Sequence, residues 1–423
     1  MRSGVRGTTP AAFGRRCVSR SLLLAGILGL TAPAVSGQPL TEEQALDRMR
    51  AGHPYLLALR LAAREAEAEA RERGLLANPT VGYTREDVGL ASDDFLLFSH
   101  ELPVRGRVGL LREAAGHAGA GAEARADASR LAFESRLRLA FTDLLLAQER
   151  VAVLEGGLRE LARLVEVLRA REREGEGSRF DRLRTEREVA DVETDLEAAV
   201  IGRLTAQARL AGYLEPGTDP GGLSAVGGLL DSSPVPDPAA LVASALAQRA
   251  DYRALASRET RWATERRAAE RLRLPSAAVT AGLKRSGPAR GRESGYVVAA
   301  TVGVPFFNRG QAQVARAEAA RARTDAERRA LRARIRSEVR AAHVAASRYR
   351  ALADRYRVAS VEPAAELAAI ATAAYEEGEY GILELLDARR VVVGAGLRLL
   401  ELSAAARRAA IDLDLATGGE AAP

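Results

Sequence analysis

One order of segments occurs twice along this chain, and the repetition constrains its fold more than any other feature. In each copy, shorter helical segments precede two strand-like segments ended by a proline, then a long helical segment, a glycine junction and a returning helix. Pro103 and Pro305 lie 202 positions apart, and the junction glycines Gly175 and Gly378 lie 203 apart. Because unlike features recur in the same order, we interpret the chain as a duplication.

Each pair of strands predicts a β-hairpin, one at residues 79–102 and one at residues 276–304. Polar loops are predicted at residues 87–94 and 285–294. Strands of roughly 8–10 residues have the length that a tilted membrane strand needs. The apolar residues predicted to share one face of their strand are Val81 and Tyr83; Leu96, Phe98 and Leu102; Ala277, Val279, Ala281 and Leu283; and Tyr296, Val298, Ala300, Val302 and Val304.

The other segments are helical, beginning with a capping box formed by Thr41 and Gln44. Long helices are predicted at residues 104–174, 180–214, 311–375 and 379–416. A seven-residue repeat in the first of these is typical of a coiled coil. Its two seams are Leu137, Leu144, Val151, Leu158 and Val165, and Ala140, Ala147, Leu154, Leu161 and Leu168. A helix of about 70 residues would be roughly 100 Å long, longer than a compact domain needs.

Residues 1–37 have the organisation of a secretory signal peptide, with arginines, a short apolar run from Ser21 to Leu30 and then small residues. The formal net charge is +6, and loss of the five arginines in this segment leaves the mature chain near +1. The single cysteine, Cys17, also lies there, so we expect no disulfide. We divide the remainder into a first repeat (38–214), a linker rich in Pro, Gly and Ser (215–237), a second repeat (238–418) and a tail (419–423).

The sequence indicates no chemistry of its own. His53, His100, His117 and His343 are scattered, and no two have the spacing of metal ligands on one helix. There is no nucleophile motif or phosphate-binding glycine loop. The arginines that follow Gln311 are interleaved with acidic residues, as on a solvated helix face. We therefore predict a protein that is not an enzyme, with no cofactor, no metal site and no nucleic-acid partner.

The strands point instead to an oligomer. Four membrane strands cannot close a barrel, since known closed barrels begin near eight strands. Open strand edges in lipid cost several kcal/mol for each unpaired backbone group. Three copies would supply twelve strands, and four long helices from each copy would form a twelve-helix tube.

Five segments together resemble the TolC family of outer-membrane efflux proteins over residues 38–418, although each is weak alone. They are Leu40 to Leu46 with His53-Pro54, Leu76 to Pro79, Gly175 to Asp181, Val304 to Gly310, and Tyr375 to Asp387. The segments Leu102 to Gly106 and Val304 to Gln311 favour the branch that works with heavy-metal cation pumps.

The resemblance implies a mainly helical fold with membrane strands. Three copies would form a homotrimer, with an α-barrel of duplicated long helical hairpins in the periplasm and a 12-stranded β-barrel in outer-membrane lipid. The partners implied are a periplasmic adaptor protein and an inner-membrane pump, which dock at a closed periplasmic tip. The channel would pass metal cations or small toxic compounds from the pump to the outside.

The resemblance also implies a periplasmic gate at the glycine junctions Gly175, Gly177 and Gly378. Glu384 and Asp387 lie three residues apart on one helical face, so a trimer would carry six carboxylates there. Asp181 matches a family carboxylate that bonds to a tyrosine, matched here by Tyr375. A family arginine that takes part in this latch is replaced by Tyr380, and Arg179 or Arg182 could substitute for it.

Two other classes of protein share some of these features. A periplasmic adaptor would also have a signal peptide and a helical hairpin, but one hairpin flanked by small β domains rather than two with strand pairs. A coiled-coil structural protein without a transport role would need no strand pairs bounded by prolines. The duplicated strand pairs favour the channel.

Overall fold

The computed structural model describes residues 38–89, 91–230, 235–288 and 291–419, and the predicted signal peptide lies outside these ranges. The first part runs β1 (Gln38–Leu40), α1 (Glu42–Gly52), α2 (Pro54–Glu72), β2 (Thr80–Val88), β3 (Ala91–Leu102), α3 (Arg107–Arg173) and α4 (Arg179–Ala211). The second runs β4 (Leu223–Ala225), α5 (Pro238–Gln248), α6 (Ala250–Glu270), β5 (Ser276–Pro288), β6 (Glu293–Gly303), α7 (Gln311–Tyr356), α8 (Glu362–Glu376) and α9 (Ile382–Thr417). None of the helices within the described ranges is long and apolar enough to cross a membrane.

The two hairpins join into one antiparallel sheet with the strand order β2-β3-β5-β6. The pairing of β3 with β5 links the two halves of the chain, a contact that the sequence did not specify. Its register aligns the apolar residues of the four strands in transverse rows. One row contains Tyr83, Leu96, Leu283 and Tyr296, and the next contains Val81, Phe98, Ala281 and Val298.

The polar loops predicted at residues 87–94 and 285–294 are wrong, because most of these residues continue the strands. Polar side chains pair across neighbouring strands here instead of facing a loop. The Tyr83 hydroxyl donates to Asp94 Oδ1 at 2.7 Å, and Lys284 Nζ lies 2.7 Å from Asp93 Oδ2. Arg292 also contacts Asp94 at 2.7 Å. Cross-strand ion pairs therefore extend the hairpins through sequence that resembles a loop.

The predicted linker, residues 215–237, contains ordered structure. Its strand β4 pairs in parallel with β1 at the start of the described chain. Leu223, Ala225 and Leu229 are buried in a core cluster with residues of α1 and α3. Two amides hold β4 in place: Gln148 accepts from the Ala225 amide at 2.9 Å, and Gln207 donates to the Leu223 carbonyl at 2.8 Å. Strand β4 is thus anchored to β1, α3 and α4.

The helix predicted at residues 311–375 is helical throughout, but it is not a regular α-helix along its whole length. Between α7 and α8 the backbone forms a π-helical turn at Arg357–Val361, just before Pro363 in the first turn of α8. Proline has no backbone N–H, and its ring clashes with the carbonyl four residues earlier, here Ala359. A wider turn relieves this conflict without ending the helical path.

The predicted coiled-coil seams form much of the core. Eight of their ten residues are buried, and Leu158 and Ala147 are half-buried. The long helix α3 packs against α2 and α4 of its own half and against α6 and α9 of the other. The two halves therefore share packing along α3.

Candidate functional site

Both glycine junctions end their helices in the same way. Gly175 has φ 80° and Gly378 has φ 78°, a left-handed conformation that side chains disfavour. The next residue then bonds back to the helix: the Glu176 amide donates to the Arg171 carbonyl, and the Glu379 amide donates to the Ala374 carbonyl, each at 2.9 Å. These are Schellman motifs, in which glycine satisfies the last carbonyls of a helix and reverses the chain.

The two junctions differ after the reversal. A Cβ at Gly177 would lie 2.7 Å from the Glu172 amide nitrogen, so the returning backbone needs glycine there. Ser178 then caps α4 by accepting from the Phe180 amide at 3.2 Å. At the second junction, Gly381 begins α9 without a side-chain cap. The start of α9 therefore lacks the side-chain hydrogen bond that caps the start of α4.

A cluster of apolar residues brings the two junctions to the same end of the helices, which we call the tip (residues 161–192 and 368–390). Its buried members are Leu161 and Leu168 of α3, Ala371 of α8, and Ile382, Leu385 and Leu386 of α9. Val189 and Val192 of α4 and Tyr375 of α8 pack against them. All four helices of the tip therefore contribute to one small core.

Tyr375 lies beside Asp181, but the cation next to it is Arg171. The Arg171 guanidinium is 5.7 Å from the centre of the Tyr375 ring. Burial raises the pKa of the Tyr375 hydroxyl, the positive charge of Arg171 opposes that rise, and the negative charge of Asp181 adds to it. In the described part of the chain, no hydrogen bond joins Asp181 to Tyr375. The predicted pair is close in space, but the predicted bond is absent.

The arginines predicted to substitute in the latch lie elsewhere. Arg182 forms ion pairs with Glu172 of α3 and with Glu186 of α4, the latter at 2.7 Å. Arg179 is exposed at the start of α4. In the described residues, neither Arg179 nor Arg182 contacts Tyr375, and Arg171 takes the position beside the tyrosine, so their part in the latch stays a prediction. Nothing in the sequence separated Arg171 from the many other arginines of α3.

Glu384 and Asp387 are both exposed in the first two turns of α9. Leu385 and Leu386, which lie between them, are buried in the tip core, so the two carboxylates point away from it. They share a face, as their spacing predicted. Across the described residues, no group of three His, Cys, Asp or Glu side chains is placed to hold a metal ion.

Two more charged residues of the tip were missed by sequence reasoning. Glu188 of α4 is only 8% exposed. Arg390 of α9 binds it with two parallel bonds, since Nε and Nη2 donate to the two carboxylate oxygens. Such a bidentate pair is geometrically specific. It connects α4 and α9, which carry the candidate gate residues Asp181 on one side and Glu384 and Asp387 on the other.

The fold as a whole is that of solved outer-membrane channels. The open state of the Neisseria gonorrhoeae MtrE outer membrane channel matches with a TM-score of 0.73 at 18% identity, covering 89% of each chain. The Campylobacter jejuni CmeC outer membrane channel matches at 0.72 and 16%, covering 89% of this chain and 85% of that one. The Vibrio cholerae outer membrane protein VceC matches at 0.71 and 18%, covering 89% and 96%.

The family model described as outer membrane efflux protein matches residues 241–419. Together with the shared fold, this match confirms the family resemblance predicted from the motifs. No curated protein sequence matches the chain. The matches do not separate the heavy-metal branch from others, so that assignment stays a prediction.

Proposed function

We propose that this chain is the outer-membrane channel subunit of a tripartite efflux or export system. As a homotrimer, it would receive substrate from an inner-membrane pump and a periplasmic adaptor and pass it to the outside. The duplicated halves, residues 38–214 and 238–418, would each supply one membrane hairpin and one long helical hairpin. The outer membrane would surround the strands, and most of the helical part would lie in the periplasm.

The observation that carries this proposal is the contrast between the two faces of the four-stranded sheet. Side chains alternate between the faces, and the register places most of the large apolar ones, from all four strands, on one face. Many are fully open in the single chain: Tyr296 is 85% exposed and Val298 is 77% exposed. The opposite face carries mostly small and polar residues, including the hydrogen-bonded pair Ser99 and Thr280, with Phe95, Leu97 and Val297 among them. One face suits lipid and the other suits a water-filled lumen.

The apolar face also has the boundaries expected at a membrane. Beyond the row that contains Tyr83 and Tyr296, the next row on the same face is charged, with Arg85, Asp94 and Arg285. At the other end, Phe307 is 94% exposed beside the last apolar residues. The strand from Tyr296 to Val304 spans about 27 Å, or about 20 Å in height at a tilt of roughly 40°. Outward-facing apolar bands of membrane barrels are ~25 Å tall and flanked by aromatic residues.

Closure of the barrel requires more than one chain. The order β2-β3-β5-β6 leaves one edge of β2 and one edge of β6 unpaired within the described sheet. In lipid such edges are too costly to leave open. Pairing β2 of one copy with β6 of the next would remove every edge, and three copies would give twelve strands. Exposed apolar residues along α4, such as Ile201 at 63%, would be covered by the same assembly.

In this trimer, Glu384 and Asp387 would place six carboxylates around the closed tip. Such a ring attracts cations and repels anions. Asp181 and Tyr375, with Arg171, would help to hold the tip closed. The exposure of both carboxylates and the shared core of the tip support this arrangement.

Fractionation of cells that express the full-length protein tests the proposal directly. We expect an outer-membrane trimer whose mobility in gels changes on heating, and ion conductance when the trimer is inserted into a planar bilayer. A soluble periplasmic monomer would refute the channel and favour an adaptor or a coiled-coil structural protein. A variant with Asp181 and Tyr375 both replaced, which should loosen the closed tip, provides a matched comparison of conductance.

The cargo class is tested separately. We propose metal cations or small toxic compounds, with metals favoured by the segments Leu102 to Gly106 and Val304 to Gln311. Deletion of the gene, followed by growth on panels of metals, drugs and dyes, should show sensitivity to one of these classes. Increased sensitivity to drugs with unchanged tolerance of metals would refute the heavy-metal assignment.

A further inference from the structure

The bidentate pair between Glu188 and Arg390 is placed where it controls the charge of the tip. Arg390 follows Asp387 by three residues on α9, so their side chains lie on one face of the helix. In the described part of the chain, however, Arg390 makes no ion pair with Asp387. The structure directs its guanidinium to Glu188 on α4 instead.

The geometry favours Glu188 over the other acids around Arg390. The Glu188 side chain is 10% exposed, so its carboxylate is largely removed from water and depends on the guanidinium for its hydrogen bonds. Asp191 also lies near Arg390, but it accepts from Arg187 of its own helix at 2.9 Å. Asp387 is exposed to water, and no hydrogen bond or ion pair of its side chain is present among the described residues.

We propose that Glu188 is a positioning residue of the gate, which holds Arg390 away from Asp387 and so keeps the tip carboxylates negative. This inference rests on the channel proposed above and identifies the residue that sets the charge of its gate. Without Glu188, the nearest acid on the same face of α9 is Asp387. A pair at a spacing of three residues would then neutralise one of the two gate carboxylates in each copy.

Loss of Glu188 should change the ion selectivity of the channel, whereas general loosening of the tip should change only its conductance. Neutralising three of six carboxylates roughly halves the electrostatic potential of the ring, and the cation-to-anion permeability ratio varies exponentially with that potential. The ratio should therefore fall to about its square root in Glu188→Gln. A tip that is only loosened would conduct more without this specific loss of selectivity.

Three variants separate these effects: Glu188→Gln, Arg390→Gln and the double variant, each measured as the full-length trimer in planar bilayers under a KCl gradient. We expect Glu188→Gln to lose cation selectivity. Arg390→Gln should not lower the ratio below that of wild type, because no arginine is then available to Asp387 and Glu188 keeps its negative charge. The double variant should recover the wild-type ratio. Glu401→Gln, which removes an exposed pair with Arg398 at a spacing of three residues on the same helix, α9, but outside the tip, is the matched control and should not change selectivity.

The outcomes are distinct. An unchanged ratio in Glu188→Gln overturns the inference, and so does a loss that the double variant fails to reverse. A wild-type protein that forms no conducting trimer would instead refute the channel itself. Gel mobility before and after heating checks that every variant assembles. If Glu188→Gln does not assemble, Arg390→Gln still tests the inference, because a ratio below that of wild type in this variant would overturn it.

Discussion

Replacement of Glu134 by glutamine should destabilise the protein at neutral pH, because this carboxylate joins α1 to α3 from a buried position. Its side chain is 7% exposed and accepts bonds from Arg50 at 3.0 and 3.2 Å and from Arg130 at 2.9 Å. Breaking a fully buried ion pair costs about 3–5 kcal/mol. Both arginines are nearly half exposed, so water replaces part of what is lost. We expect a cost of about 1–3 kcal/mol.

The destabilisation caused by Glu134→Gln should become smaller as the pH falls. Burial on its own raises the pKa of Glu134, but the bond from Arg50 and the charges of Arg130 and Arg50 outweigh it and leave the pKa below its ordinary value. A lowered pKa in the folded state means that the stabilisation is complete above the unfolded pKa, about 4.3. It is lost as the pH falls through the folded value. The variant and the wild type should therefore converge in acid.

Guanidinium unfolding of the purified protein in detergent, followed by circular dichroism at pH 7 and pH 3, measures this difference. Glu155→Gln is the control, because Glu155 forms an exposed pair with Arg159 of the same helix at 3.9 Å. It should change the free energy of unfolding by less than about 0.5 kcal/mol. A Glu134→Gln penalty that is as large at pH 3 as at pH 7 would refute the reasoning, since the charge would then not be its source.

Three further outcomes are expected. Gly310→Ala should lower the free energy of unfolding by at least about 1 kcal/mol, because Gly310, just before α7, has φ 83° and a Cβ there would lie 2.5 Å from the Ala269 carbonyl oxygen. A melting temperature equal to that of wild type would contradict this. Replacing Asp181 and Tyr375 together should loosen the closed tip and increase conductance and sensitivity to large antibiotics; equal values would argue against their latch role. Pro363→Ala should restore regular helical hydrogen bonding across the π turn, visible as slower amide exchange at residues 357–361.

The long-range plan of this fold was predictable because it depends on periodic patterns. The heptad seams of α3 specified a buried stripe, and the alternation in β5 and β6 specified one apolar face. The pairing of β3 with β5 was not predictable, since it depends on strands separated by more than 170 residues that carry no local signal for each other. The sheet ends at Asp93 and Asp94 were missed because cross-strand partners, not local propensity, keep them extended.

The candidate gate was likewise predictable from the sequence only in part. Gly175 and Gly378 were recognisable because a left-handed residue at a helix end nearly requires glycine. The face shared by Glu384 and Asp387 followed from helical spacing. Arg171 and the pair of Glu188 with Arg390 could not be found, because each contact joins residues on different helices, and arginine is too common here for its position to be informative.

The pairing of β3 with β5 also determines how long the first hairpin must wait for its partner during synthesis. Leu96 and its partner Leu283 lie 187 positions apart in the chain. At roughly 5–20 residues per second, about 10–40 s separate the synthesis of the first hairpin from that of its neighbour. During that interval β3 has an unpaired edge and an apolar face open to water, a combination that favours aggregation. The first hairpin is therefore at risk of aggregation until its neighbour is made, whereas the second finds its partner strand already made.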